Sequence, residues 1–197
     1  IALADVTGGR LHVMHVSTAQ GVDLIREAKS RGIRVTAEAC PHHFTLTDES
    51  LRGFDSNFKM SPPLRTAKDV EGILAGLADG TIDCIATDHA PHAPEKKLLE
   101  LDRAPFGILG LETAVGLSVT RLIESGRIDW PRFVEAISLL PVRILGINRG
   151  TLRPGAIADV TLIDPSHEWQ VDVNSFASKS VNSPFDGWTL RGRAVAT

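Results

Sequence analysis

The sequence has few cysteines and no long apolar run, and each absence excludes a class of protein. Its two cysteines, Cys40 and Cys84, lie in separate apolar segments, so they form neither a disulfide framework nor a Cys-x-x-Cys metal pair. No apolar stretch approaches the roughly 20 residues of a membrane span, and the first residues lack the basic flank and cleavage site of a signal peptide. We therefore expect a cytoplasmic protein with no membrane partner.

Charge of one sign is not concentrated anywhere either. The formal net charge is −3, from 21 Lys and Arg against 24 Asp and Glu that alternate along the chain. Without a basic patch we expect no nucleic-acid partner, and a small molecule is the natural substrate. The 197 residues are 43% hydrophobic, which is ample for a core, and they begin with Ile1. The missing initiator methionine suggests a piece of a longer protein.

Predicted strands and helices alternate through the first three quarters of the chain. Apolar runs at 11–16, 33–39 and 82–88 are typical of buried strands. Helical spacing follows each run, first through Val22, Leu24, Ile25 and Ala28, then through Val70, Ile73, Leu74 and Leu77, and last at 111–125 and 131–145. Such alternation predicts an α/β fold with a mostly parallel sheet, closed or doubly wound.

The pattern changes at Gly150. Short β segments at 158–163, 171–173 and 190–195 are separated by Gly and Pro, which predicts a small β module. We therefore divide the chain into 1–149 and 150–197. The first part contains about three strands, whereas a complete eight-stranded barrel needs roughly 250 residues, so any barrel is incomplete here.

Asp88 is the first catalytic candidate. It stands where the apolar run of 84–92 ends in a carboxylate and two imidazoles, and active sites of α/β barrels gather at the carboxyl ends of strands. Its possible roles are a metal ligand, a proton shuttle or a helix cap. A carboxylate beside a metal that acidifies water performs general acid–base catalysis, which is a hydrolase arrangement.

Four histidines lie near other strand ends. His12 and His15 are three residues apart, so on an extended strand they point to opposite faces and at most one enters a site. His15 is nearer the strand end and is either a metal ligand or a hydrogen-bonded strand-end histidine. His12 is expected to pack or to form hydrogen bonds. His42 and His43 are expected to brace their loop, with ligation as the alternative.

Polar groups in three loops are candidate substrate contacts. The loop at 59–65 is stiffened by two prolines and carries Lys59, Ser61 and Arg65 as possible donors. Its alternative role is a rigid surface connection. His92 can reach a carboxylate or carbonyl, and the Phe106–Gly107 step offers backbone groups because glycine permits close approach.

Five segments together resemble the dihydroorotase family of the amidohydrolase superfamily. They are 15–18 (His-Val-Ser-Thr), 41–43 (Pro-His-His), 59–65 (Lys-Met-Ser-Pro-Pro-Leu-Arg), 86–92 (Ala-Thr-Asp-His-Ala-Pro-His) and 103–107 (Arg-Ala-Pro-Phe-Gly). Their order and spacing match the family across essentially the whole chain. The resemblance implies the C-terminal part of a TIM-type (β/α)8 barrel followed by tail strands of a small β-sandwich.

The resemblance also implies a role for each candidate. His15 would be a ligand of the second of two Zn²⁺ ions, and Asp88 would contact the first and act as general acid and base. His92 would lie near the substrate carboxylate, with Phe106 and Gly107 near its ring amide. Ser61 stands where many relatives have an asparagine that contacts the substrate, and serine keeps a hydrogen-bonding group with a shorter reach. The family's remaining metal ligands, including a His-x-His pair, precede Ile1.

The implied reaction is the reversible conversion between L-dihydroorotate and N-carbamoyl-L-aspartate in pyrimidine biosynthesis. We expect this chain to be inactive without its remaining ligands, and to pair with the missing N-terminal half or with another copy because a half-barrel exposes strand edges. The alternatives are a hydantoinase or allantoinase, and a non-catalytic subunit that scaffolds aspartate carbamoyltransferase.

Overall fold

A three-stranded parallel sheet organises the first part of the chain. The computed structural model describes residues 1–197. The strands are β1 (Leu11–Val13), β2 (Val35–Ala39) and β3 (Cys84–Ile85), in the order β1-β2-β3. Both strand pairs are parallel, which confirms the α/β class with a parallel sheet. The three strands form an open sheet, so a closed barrel is not seen.

Helices cover one face of this sheet. The chain begins with α1 (Ala2–Thr7), and α2 (Ala19–Ser30) and α3 (Ala67–Ala78) pack side by side. The Thr18 side chain accepts a hydrogen bond from Gly21 N–H at the start of α2, and Thr66 and Asp69 form a capping box on α3. The short helix α4 (Pro94–Lys97) lies in the loop after β3.

Two longer helical segments follow, as the periodicity predicts. The first is α5 (Ala114–Ser118), which continues as a π-helical turn over Val119–Ile123. The second runs through α6 (Trp130–Val134), a π-helical turn over Glu135–Leu139, and α7 (Leu140–Leu145). Asp129 accepts a hydrogen bond from Arg132 N–H at the start of α6 and is therefore its N-cap.

The main core lies between the sheet and these helices. Val22, Ile25 and Ala28 of α2 are buried as the spacing predicts, but Leu24 is exposed. A second cluster of nine buried residues joins the loops after the strands to the C-terminal segment, and its members are Leu46, Met60, Leu64, Ile108, Leu117, Val171, Val173, Phe185 and Leu190.

The C-terminal segment contains one antiparallel pair, β4 (Leu162–Gln170) and β5 (Thr189–Ala196). The predicted strand at 158–163 is wrong in its bounds, because pairing starts only at Leu162, opposite Ala196. The predicted strand at 171–173 is also wrong, since Val173–Ser175 is a 3-10 turn capped by Asp172. The division at residue 150 stays a prediction.

No helix in the structure has the length and apolar character needed to cross a membrane.

Candidate active site

The carboxyl ends of the three parallel strands bring His15 and Asp88 together. His15 follows β1 and Asp88 follows β3, and their backbones have φ of 51° and 48°. Non-glycine residues seldom adopt this left-handed region, and when they do they cluster at functional sites. His15 Nε2 lies 3.5 Å from Asp88 Oδ1. The turn after each strand therefore directs both side chains to one point.

The donor atoms at this point fit a metal ion. His15 Nε2 and Asp88 Oδ1 are an imidazole nitrogen and a carboxylate oxygen, which are donor types that zinc binds, and they lie 3.5 Å apart. Glu38 Oε1 is buried and lies 2.8 Å from His15 Nδ1, the ring nitrogen that does not face Asp88. Burial raises the pKa of Asp88, with a further increase from Glu38 and an opposing decrease from His15.

The helix-cap alternative for Asp88 is not seen. The first helix after β3 starts at Pro94 with Ala93 as its N-cap. The Asp88 carboxylate is therefore not used by a helix terminus.

Glu38 on β2 lies beside both His12 and His15. Its place in the site was not predicted from the sequence. His12 Nε2 donates to Glu38 Oε2 at 3.0 Å, and its Nδ1 accepts from the Thr36 hydroxyl at 2.8 Å. His15 Nδ1 lies 2.8 Å from Glu38 Oε1, although the two are not aligned as a hydrogen bond. The sequence does contain a pattern that points to Glu38, because Thr36 and Glu38 are polar residues on one face of an otherwise apolar parallel strand.

The expectation that His12 and His15 point to opposite faces is wrong. Strand β1 ends at Val13, and the left-handed turn at His15 rotates its ring to the side that His12 occupies. Both rings consequently approach the same carboxylate. The hydrogen bonds predicted for His12 are confirmed.

Cys40, His42 and His43 form a buried cluster beside this point. One potential ligand atom from each lies within 4.8 Å of the others, so the group could also hold a metal. Cys40 Sγ contacts His15 Nδ1 at 3.3 Å. His43 Nε2 donates to the Pro62 carbonyl at 2.9 Å, as expected of a loop brace. Burial lowers the pKa of His43 to about 4 and that of His42 well below its ordinary value.

The segments that hold His92 and Phe106–Gly107 pair with each other. His89 and Ile108 form a parallel bridge, and Ala90 N–H donates to the Ile108 carbonyl at 2.8 Å. His92 Nε2 donates to the Phe106 carbonyl at 2.8 Å, because a carbonyl can only accept. This leaves Nδ1 of His92 for a substrate.

The backbone of Gly107 is already engaged within the protein. Its N–H donates to the Lys59 carbonyl at 2.9 Å, and its carbonyl accepts from Lys97 Nζ at 3.1 Å and from Asn182 Nδ2 at 3.3 Å. Its φ is 110°, and a Cβ there would lie 2.5 Å from Ala90 Cβ. Only glycine allows this close approach. The neighbouring Phe106 N–H, in contrast, makes no hydrogen bond within the protein.

The loop donors proposed from the sequence have different surroundings. Lys59 Nζ donates to the Asp102 and Ala104 carbonyls and lies 4.6 Å from the Phe106 ring centroid, so it braces that loop. Arg65 Nε donates to Ser17 Oγ at 3.4 Å. Ser61 is exposed, and its hydroxyl makes no hydrogen bond.

Comparisons with known proteins identify the family of the chain. A sequence model of the amidohydrolase family matches residues 2–195. Curated relatives named dihydroorotase include those of Citrifermentans bemidjiense, 54% identical, and Pelotomaculum thermopropionicum, 57% identical, each over the whole chain and 46% of the relative. The chain thus spans about half the length of the curated relatives it matches.

Solved structures give a second set of similarities. The L-hydantoinase (dihydropyrimidinase) of Arthrobacter aurescens aligns with a TM-score of 0.92 at 33% identity, over 98% of this chain and 44% of that one. A dihydropyrimidinase of Brevibacillus agri aligns with a TM-score of 0.90 at 26% identity, over the same shares.

Proposed function

Since the chain belongs to the amidohydrolase family, we propose that the complete protein is a zinc-dependent dihydroorotase that interconverts L-dihydroorotate and N-carbamoyl-L-aspartate. The observation that carries the proposal is the convergence of His15 Nε2 and Asp88 Oδ1 at the strand ends. The choice of substrate is supported by the dihydroorotases, which are 54% and 57% identical to this chain.

His15 and Asp88 are the residues of this chain that would hold the metal. A zinc ion held there would supply Lewis-acid polarisation of the substrate carbonyl and a lower pKa of bound water. Two ions are expected in the complete site, one contacting each of these residues. Glu38 is hydrogen-bonded to His12 and lies 2.8 Å from His15 Nδ1, and a carboxylate next to a histidine ligand is a usual arrangement.

Asp88 would carry the proton. A carboxylate that accepts a proton from the attacking water can return it to the ring nitrogen as the amide bond breaks.

The substrate would lie between the loops after β3. We assign His92 to the substrate carboxylate, to which Nδ1 donates when both ring nitrogens carry a proton, and the Phe106–Gly107 step to the ring amide. Because the Gly107 groups are already hydrogen-bonded, the Phe106 N–H is the better donor. Ser61 remains a candidate contact, since its hydroxyl is free and exposed.

The test is the substitution Asp88→Asn in the complete protein. We expect kcat for dihydroorotate hydrolysis to fall by about 10²-fold or more, with Asp23→Asn on the exposed face of α2 as the matched control. Near-normal turnover with intact zinc content would remove Asp88 from the mechanism.

A hydantoinase or dihydropyrimidinase is the second candidate, because the similar solved structures bear those names. Dihydroorotate differs from dihydrouracil by a ring carboxylate, for which His92 is the proposed partner. Turnover of dihydroorotate, dihydrouracil, hydantoin and allantoin by the complete protein separates the two activities. Absence of turnover on all four, without bound zinc, would favour a non-catalytic subunit that scaffolds aspartate carbamoyltransferase.

We also propose assignments for the fold, the assembly and the location of the complete protein. The parallel sheet would form part of a (β/α)8 barrel, and β4 and β5 part of a small β-sandwich. Exposed Met14 beside the edge strand β1 supports pairing with the N-terminal half or with a second copy. Two free, buried cysteines are consistent with a cytoplasmic location.

A further inference from the structure

Asn182 connects the two loops proposed to bind substrate. It lies in the segment before β5 and is buried. Its Oδ1 accepts from the His92 N–H at 3.0 Å, and its Nδ2 donates to the Ala90 carbonyl at 2.9 Å and the Gly107 carbonyl at 3.3 Å. Both ends of one amide group are therefore used, and each end holds backbone that carries a candidate contact.

The backbone of Asn182 strengthens this connection. Its carbonyl accepts from the Leu109 N–H at 3.0 Å, so the residue contacts the chain on both sides of the parallel bridge between His89 and Ile108. Such an arrangement fixes the distance between the His92 ring and the Phe106–Gly107 step. A side chain from the C-terminal segment thus sets the spacing of two loops that follow β3.

We propose that Asn182 is a positioning residue for substrate recognition, which holds His92 and the Phe106–Gly107 step at the spacing that a carboxylate-bearing cyclic amide requires. This inference rests on the proposed function. Asn182 contacts neither His15 nor Asp88, so it acts on substrate affinity and on the preference for a ring carboxylate.

The experiment compares Asn182→Ala, Asn182→Asp and the control Asn174→Ala in the complete protein. Asn174 is an exposed asparagine of the same segment whose side chain contacts only Asp172. Asn182→Asp has nearly the same shape and keeps the acceptor for the His92 N–H, but its ionised form has no donor for the two carbonyls. It therefore separates loss of the donor bonds from loss of volume.

For Asn182→Ala we expect KM for dihydroorotate to rise about tenfold while kcat stays within about threefold, the size of a lost buried hydrogen bond. The kcat/KM preference for dihydroorotate over dihydrouracil should fall in parallel. Asn182→Asp should behave like Asn182→Ala, and Asn174→Ala like the wild type. Equal losses on both substrates, or a fall in kcat alone, would overturn the proposal.

Failure of the proposed function is distinguishable from failure of this inference. If the wild type does not hydrolyse dihydroorotate, hydrogen exchange of residues 90–92 and 107–109 decides the positioning role. Faster exchange in Asn182→Ala but not in Asn174→Ala supports it, and unchanged exchange overturns it.

Discussion

His15 and Asp88 have a backbone conformation that costs an L-residue of order 1–3 kcal/mol when imposed by its surroundings. The cost is offset because the left-handed turn lets each side chain leave its strand and approach the other, with 3.5 Å between His15 Nε2 and Asp88 Oδ1. Glu38 completes the arrangement from the adjacent strand. At this scale the site depends on one carboxylate that faces two imidazoles.

Glu38→Gln tests that dependence in the complete protein. The amide keeps the shape of the side chain but removes the charge that contacts the His12 ring and lies beside His15. We expect zinc affinity to fall about 10–100-fold, as for other partners of histidine ligands, in a competition titration with a chromophoric chelator. Glu27→Gln on the exposed face of α2 is the control. Equal zinc affinity in the two variants would remove Glu38 from the site.

Lys97 gives a pH-dependent prediction. It is buried with Nζ donating to the Pro105 and Gly107 carbonyls. Burial lowers its pKa from 10.5 to about 8, while attraction to Asp55 opposes the decrease and repulsion from Lys59 adds to it. The neutral amine still has two N–H groups for the two carbonyls, so the uncharged form keeps these bonds.

The contribution of Lys97 to the free energy of unfolding depends on pH. Between pH 8 and 10.5 the unfolded chain holds a proton on Lys97 that the folded protein lacks, so the free energy of unfolding rises with pH across this range. Relative to Lys97→Met, the wild type should gain up to about 3 kcal/mol. Urea unfolding at pH 7.5 and pH 10 measures this, with Lys96→Met as the exposed control. A difference that is constant with pH would contradict the assigned shift.

At the scale of elements, the close approach of α2 and α3 depends on Gly72. A Cβ there would lie 2.5 Å from Ala19 Cβ and 2.7 Å from Ala19 Cα, so the helices would have to separate. Since β1 and β2 flank α2 and lead to His15 and Glu38, this packing also positions the site.

Gly72→Ala should therefore lower the free energy of unfolding by about 2 kcal/mol, because overpacking exceeds the gain in helix propensity. Gly53→Ala is the control, since nothing lies within 4 Å of its Cβ position, and it should be neutral or slightly stabilising. Chemical denaturation of both variants measures the difference. Equal stability would mean that the helices adjust without cost.

Local patterns in the sequence predict the elements whose partners are near in the chain. The spacing of Val22, Ile25 and Ala28 predicts α2, and the polar ends of the strand runs predict where His15 and Asp88 lie. Glu38 was missed because its role depends on pairing with β1, and Asn182 because its partners lie far away along the chain. The strand at 158–163 was misplaced since apolar character alone does not specify where a pairing begins.

At the scale of the whole molecule, the parallel sheet has an unpaired edge. Strand β1 is an edge strand, and the apolar side chains of Met14 and Leu145 are exposed. Unpaired edges and apolar patches of this kind favour association with another chain. In the metal site, this chain supplies His15 and Asp88, which is fewer than the three or four protein ligands of a typical zinc ion.

A protein made of these 197 residues alone should therefore associate with itself, bind little zinc and hydrolyse no dihydroorotate. Sedimentation at micromolar concentration, elemental analysis and a turnover assay measure the three properties, with the complete protein as reference. Addition of the separately produced remainder of the complete protein should restore zinc binding and turnover together, because the two parts then share one ligand set and cover the edge at β1. A stable monomer would contradict the argument from the exposed edge, and turnover without the remainder would show that the ligands within this chain suffice.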